Sequence, residues 1–160
     1  MALKQQIVQQ LQSFATAGPG PFMLDEPVSN GRITATIQAA DRLACAFESL
    51  QLETPSLATK SMDELKQLSN TLCAKVSYLL EPIALIETDA DTCTTQLRSN
   101  PPAKEDDQTF YYEILVRRGG TIALCRYQKQ PGDVRQVVPA NLTHEVFARV
   151  AEDFVAAAGN

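Results

Sequence analysis

The sequence predicts an α+β domain, an antiparallel sheet of about six strands with three amphipathic helices in the order α-β-β-α-β-β-β-β-(β)-α. Three observations predict it. Apolar residues recur at helical spacing near the start, the middle and the end of the chain. Between those segments they alternate at strand spacing. The strand-like runs are joined by turns short enough to imply antiparallel pairing. The 160 residues read as one domain, 1–160, long enough to bury a core without a metal or disulfide staple.

Leu3, Ile7, Leu11 and Phe14 share one helical face, glutamines fill the others, and Gly18-Pro19-Gly20-Pro21 stops the helix. A hairpin follows, with Ile33, Ala35, Ile37 and Ala39 on one strand. After a turn near Ala40-Asp41-Arg42, Leu43, Cys45 and Phe47 line the other. The apolar parity then shifts to Leu50 and Leu52, which predicts a bulge near Glu48-Ser49. Ser61 and Glu64 form a capping box for a second helix. Its stripe is Leu65, Leu68, Leu72, Val76 and Leu79, and Pro82 ends it.

Strands are expected over 83–88 and 92–98, turning at Asp89-Ala90-Asp91, before a Pro-rich loop at 99–108 whose tip is expected to be mobile. The clearest hairpin pairs 110–118 with 121–128 across Gly119-Gly120. Read as a two-residue turn, it sets Arg118 against Thr121, Glu113 against Arg126 and Ile114 against Cys125. A short edge strand is expected over 134–138. A last helix starts near Thr143, carries Phe147, Val150 and Phe154, and stops at Gly159.

The net charge of −5 argues against duplex nucleic acid as a partner. No apolar run reaches the length of a membrane span and no signal peptide is recognisable, so a cytoplasmic location is expected, with Cys45, Cys73, Cys93 and Cys125 reduced. These cysteines form no C-x-x-C pair and the chain has a single histidine, so no metal site and no cofactor are expected. Glu87, Asp89 and Asp91 alternate like calcium ligands, but the EF-hand positions that need Gly and Glu hold Thr92 and Arg98. His144 reads as a surface residue in the first turn of the last helix, and no nucleophile turn of the G-x-S-x-G kind is present.

With no catalytic constellation assembled, the sequence reads as a non-catalytic binding or protein-interaction domain. Phe110, Tyr112, Ile114 and Val116 lie on one face of a strand, and Tyr111 and Leu115 lie on the other. A strand apolar on both faces needs a second cover, so those first four, with Tyr127, are the candidate interface for a homodimer through the sheet or for another protein. The alternative is a small-molecule binder or enzyme with an anion site lined by Arg117, Arg118 and Arg126.

A first helix, then Leu24-Asp25-Glu26, a hairpin, a leucine-rich second helix and a pI near 4.9 together resemble the opening of the small acidic chaperones of type III secretion. The resemblance covers about residues 1–80 and implies a chaperone-like role. The strands and the Pro-rich loop after Pro82 depart from that pattern.

Overall fold

The computed structural model describes residues 1–159. Three helices, α1 (Leu3–Ala15), α2 (Met62–Lys75) and α3 (His144–Ala157), all lie on one face of a large antiparallel sheet. The strands are β1 (Phe22–Val28), β2 (Gly31–Ala40), β3 (Ala44–Glu53), β4 (Ile83–Asp89), β5 (Thr94–Ser99), β6 (Ala103–Glu105), β7 (Gln108–Arg117), β8 (Thr121–Lys129), β9 (Gln136–Val138) and β10 (Ala140–Thr143). The main order is β1-β2-β3-β8-β7-β5-β4. The α+β class is therefore right, and the sheet is larger than the sequence suggested.

The first strand missed is β1, Phe22–Val28. In β1, only Phe22, Leu24, Glu26 and Val28 face the helices, and Pro27 and two acidic residues interrupt the alternation, as suits an edge strand. Two further strands were missed because they are short. β6 orders part of the 99–108 loop by pairing with β7. The segment expected as an edge strand is not at an edge. β3 and β8 pair only from Leu50 to Glu53, then splay, and β9 and β10 fill the fork by pairing with β8 and β3.

Local chemistry explains the elements that were anticipated. Ser61 Oγ accepts from Glu64 N and the Glu64 carboxylate accepts from Ser61 N, closing the capping box of α2. Thr143 caps α3 through Val146 N. The bulge falls at Glu48, since Thr36 pairs with Ser49 and Ile37 with Phe47. That extra residue is why Phe47 and Leu50 both reach the core.

The β7–β8 hairpin is one residue out of the expected register. Arg117, not Arg118, opposes Thr121, so Ile114 faces Leu124 and Glu113 faces Cys125. The loop has three residues, Arg118-Gly119-Gly120, and its last glycine adopts φ +124. Gly120 N donates to Arg117 O, and Gly120 O accepts from Thr54 N. Packing decides between the registers. The observed one places Ile122 and Leu124 in the core with Ile114 and Val116, all fully buried. The expected one would put Ala123 and Cys125 there instead. Each large aliphatic side chain buried stabilises by about 1.5–3 kcal/mol, which favours the first decisively.

The core fills the space between helices and sheet. Phe47 and Phe147 meet edge to face at 5.1 Å, Phe14 stacks on Phe22 at 4.8 Å, and Tyr78 Oη donates to Asp153 at 2.7 Å to hold the chain after α2 against α3. No helix among the described residues is long and apolar enough to cross a membrane.

Candidate functional site

One face of the sheet carries no helix, and register places its residues in rows. Nearest the β7–β8 turn, Arg32, Glu53, Arg117 and Asp89 give a row of alternating, balanced charge. The next row runs Asp25, Thr34, Gln51, Ala123, Leu115, Gln96, Glu87, and its five central members are uncharged. Beyond it Cys125, Glu113 and Arg98 align, then Val137, Tyr127 and Tyr111, then Lys129, Thr109 and Lys104.

The last three rows hold a tight polar cluster. Glu113 is 2% exposed although it lies on the helix-free side. Its carboxylate accepts from Gln96 Nε2 at 2.7 Å and from Arg135, whose guanidinium reaches both carboxylate oxygens from the segment before β9. Arg98 stands on its other side with Nη2 at 3.6 Å. A carboxylate so enclosed is tolerable only with several charge-assisted partners, and it has them.

Two aromatic rings form the floor under those cations. Tyr111 and Tyr127 stack at 5.7 Å; Arg98 lies over Tyr111 at 4.6 Å and Arg135 over Tyr127 at 3.9 Å. Arg135 Nη1 also donates to Tyr111 Oη at 3.4 Å. Tyr111 is 5% exposed because the guanidinium covers it. Burial alone would lower the Arg135 pKa, but its hydrogen bonds to Glu113 and Tyr111 outweigh that and raise it. Burial raises Tyr127, against the opposing pull of Arg135. Cys125 is raised by burial and then by the Glu113 charge, so its thiol stays protonated at neutral pH.

A second polar set lies on the opposite side of the same strands. Arg126 pairs with Glu81 at 2.8 Å and stacks over Tyr112 at 4.4 Å, while Ser99 Oγ donates to Glu81 and accepts from Tyr112 N. Here one cation meets one anion.

The residues singled out from sequence land apart. Arg117 is exposed in the balanced row, Arg118 donates to Lys60 O and contacts Cys93 Sγ, and Arg126 is committed to Glu81 at the other end of β8. They do not converge on one site. Tyr112, Ile114 and Val116 lie in the core under the chain's own helices, which cover that face of the strand, while the face carrying Tyr111 and Leu115 has no helix over it. Those three, with half-buried Phe110 on the same side, have no helix-free surface to offer; Tyr127 alone of the five lies on the open face. His144 is buried rather than exposed, its Nε2 at 3.2 Å from Ala44 O.

The Asp89 carboxylate accepts from Asp91 N and Thr92 N, which makes it a turn residue. Among the described residues, no three His, Cys, Asp or Glu side chains stand close enough to share a metal ion. The hollow beside the uncharged row, lined by Glu87, Asp89, Thr92, Thr94, Gln96 and Leu115, is shallow, at about 170 Å³. The sequence reading missed Arg98, Glu113 and Arg135 as a group. The one available signal was Gly120: a three-residue turn would have moved Glu113 away from Arg126.

Comparison with known proteins returns no matching family model, no similar curated protein and no similar solved structure.

Proposed function

We propose that this chain is a non-catalytic protein-interaction domain that receives its partner across the helix-free face of the sheet. The observation that supports the reading best is the uncharged row of Thr34, Gln51, Ala123, Leu115 and Gln96, running across five strands between more polar rows. A solvated sheet face ordinarily carries charge along its middle, and Lys and Glu are depleted where partners dock. The two sheet edges are poorer candidates. β1 carries Pro27 beside acidic residues, and β4 is bulged at Ile86 with Glu87 and Asp89 beyond it.

The partner is a second protein, in a chaperone-like role in keeping with the opening architecture of the chain; a second copy is the other occupant the experiment separates. Benzoylphenylalanine is placed at Leu115 and, as a control, at Lys66 on the exposed side of α2. Photocrosslinking in the producing cells is paired with light scattering on purified wild type. An adduct from position 115 and not from 66, on a wild type of 17.5 kDa, supports the reading; a mass twice 17.5 kDa that Leu115→Arg reduces to 17.5 kDa assigns the face to a second copy instead. A monomer with no adduct at position 115 contradicts it.

A further inference from the structure

We infer that the end of the helix-free face farthest from the β7–β8 turn binds an acidic, extended segment of a partner protein. This inference rests on the proposed role of that face and names the chemistry of what lands there. Across the last three rows, Arg98, Lys104, Lys129 and Arg135 supply four cations against the carboxylate of Glu113 and that of Glu48 beside Cys125, a local net of +2 in a chain of net −5. Asp106, Asp107 and Asp133 stand in the turns beyond the last row.

Three features make this band a receptor for carboxylates. First, the cations are held in place. Arg98 and Arg135 are each anchored on a tyrosine ring and on Glu113, yet their side chains remain 34% and 35% exposed. A guanidinium fixed in this way loses little rotamer freedom when a carboxylate docks on it. Second, Glu113 is already satisfied by Gln96 and Arg135, so it does not use the full donor capacity of the two arginines. Third, the band is bounded: about 14 Å across the strands from β5 and β6 to β9, the reach of about four extended residues.

Those bounds favour a short acidic peptide over a nucleic acid. The faces of Tyr111 and Tyr127 that a base would stack on are occupied by guanidiniums. A longer polyanion would also run onto Asp25, Glu87 and Asp89 in the neighbouring rows. Exposed Val137, beside Tyr127, offers an apolar contact at the rim of the same band.

The test titrates a fluorescein-labelled hexaglutamate peptide, with hexathymidine as the competing chemistry, by anisotropy at low salt. Wild type binds hexaglutamate and weakens as salt rises. Lys104→Glu with Arg98→Gln loses about tenfold in affinity, while Arg117→Glu in the balanced row changes it less than about twofold. Lys104→Glu alone, which touches none of the Glu113 contacts, keeps the comparison valid if Arg98→Gln loosens the fold. Absence of hexaglutamate binding, an equal loss in Arg117→Glu, or tighter binding of hexathymidine overturns the inference. If the Leu115 adduct forms while hexaglutamate fails to bind, only this inference falls; if both fail, the face itself is not an interaction surface.

Discussion

The two sides of β7 and β8 each carry a carboxylate, an arginine and stacked aromatics, yet they differ in stoichiometry and cover. On the helix side, Glu81 and Arg126 neutralise each other, with side chains 17% and 16% exposed. On the open side, Glu113 is more deeply enclosed than either, but its two arginines face water over a third of their surface. The first set is closed and balanced, which is how a structural tie looks. The second spends one anion to position two cations at the surface, and leaves charge over. Burying a carboxylate to orient surface arginines is costly in stability and makes sense when the arginines are used.

This contrast can be broken by mutation. The largest effect is expected from Arg126→Ala, which strands a mostly buried Glu81 and removes the guanidinium packed over Tyr112. It should lower stability by about 3 kcal/mol, the lower end for breaking a buried pair, or roughly 6–12 °C in Tm for a chain of this size. Denaturant and thermal melts would check it. Arg135→Ala should cost less, about 2 kcal/mol, because Arg98 and Gln96 stay on Glu113 and water reaches the gap. An Arg135 effect larger than that of Arg126 would reverse the assignment of structural and displayed roles.

Thiol chemistry gives a smaller, finer contrast. Cys45 faces the core and burial pushes its pKa up to about 12, whereas Cys125 lies on the open side beside Glu113. At pH 8, iodoacetamide should modify Cys125 before Cys45. Arg135→Ala removes the cation that lowers the Cys125 pKa, so it should slow Cys125 modification by about twofold to fivefold and leave Cys45 unchanged. Peptide mass spectrometry over a time course reads both rates.

How much of this was legible in the sequence depends on how local each determinant is. The α2 capping box, the bulge at Glu48 and the β4–β5 hairpin each follow from residues a few positions apart; the first two are where the residues said they would be, and the hairpin is too, with its turn over 90–93 rather than 89–91. β1 was not legible because Met23, Asp25 and Pro27 on its outward side blur the alternation of an edge strand. The site was hidden for a different reason. Arg98 meets Glu113 only because β5 pairs directly with β7 on the side away from β8, and Arg135 arrives from a connecting segment with no periodicity of its own. The hairpin register was local and still misread, since a pair of glycines fits a two-residue turn as well as the last two places of a three-residue turn. Core volume, carried by Ile122 and Leu124, settled it.

The central claim is that the helix-free face is graded, with its cationic end as the place a partner's acidic segment lands. Amide chemical shifts of the wild-type chain during a hexaglutamate titration test it most directly. The account predicts shifts concentrated at Arg98, Lys104, Tyr111, Tyr127, Lys129 and Arg135, with Arg32, Glu53 and Arg117 unmoved. Shifts centred on that balanced row or on the outer surfaces of the helices, or none at saturating peptide, would contradict it.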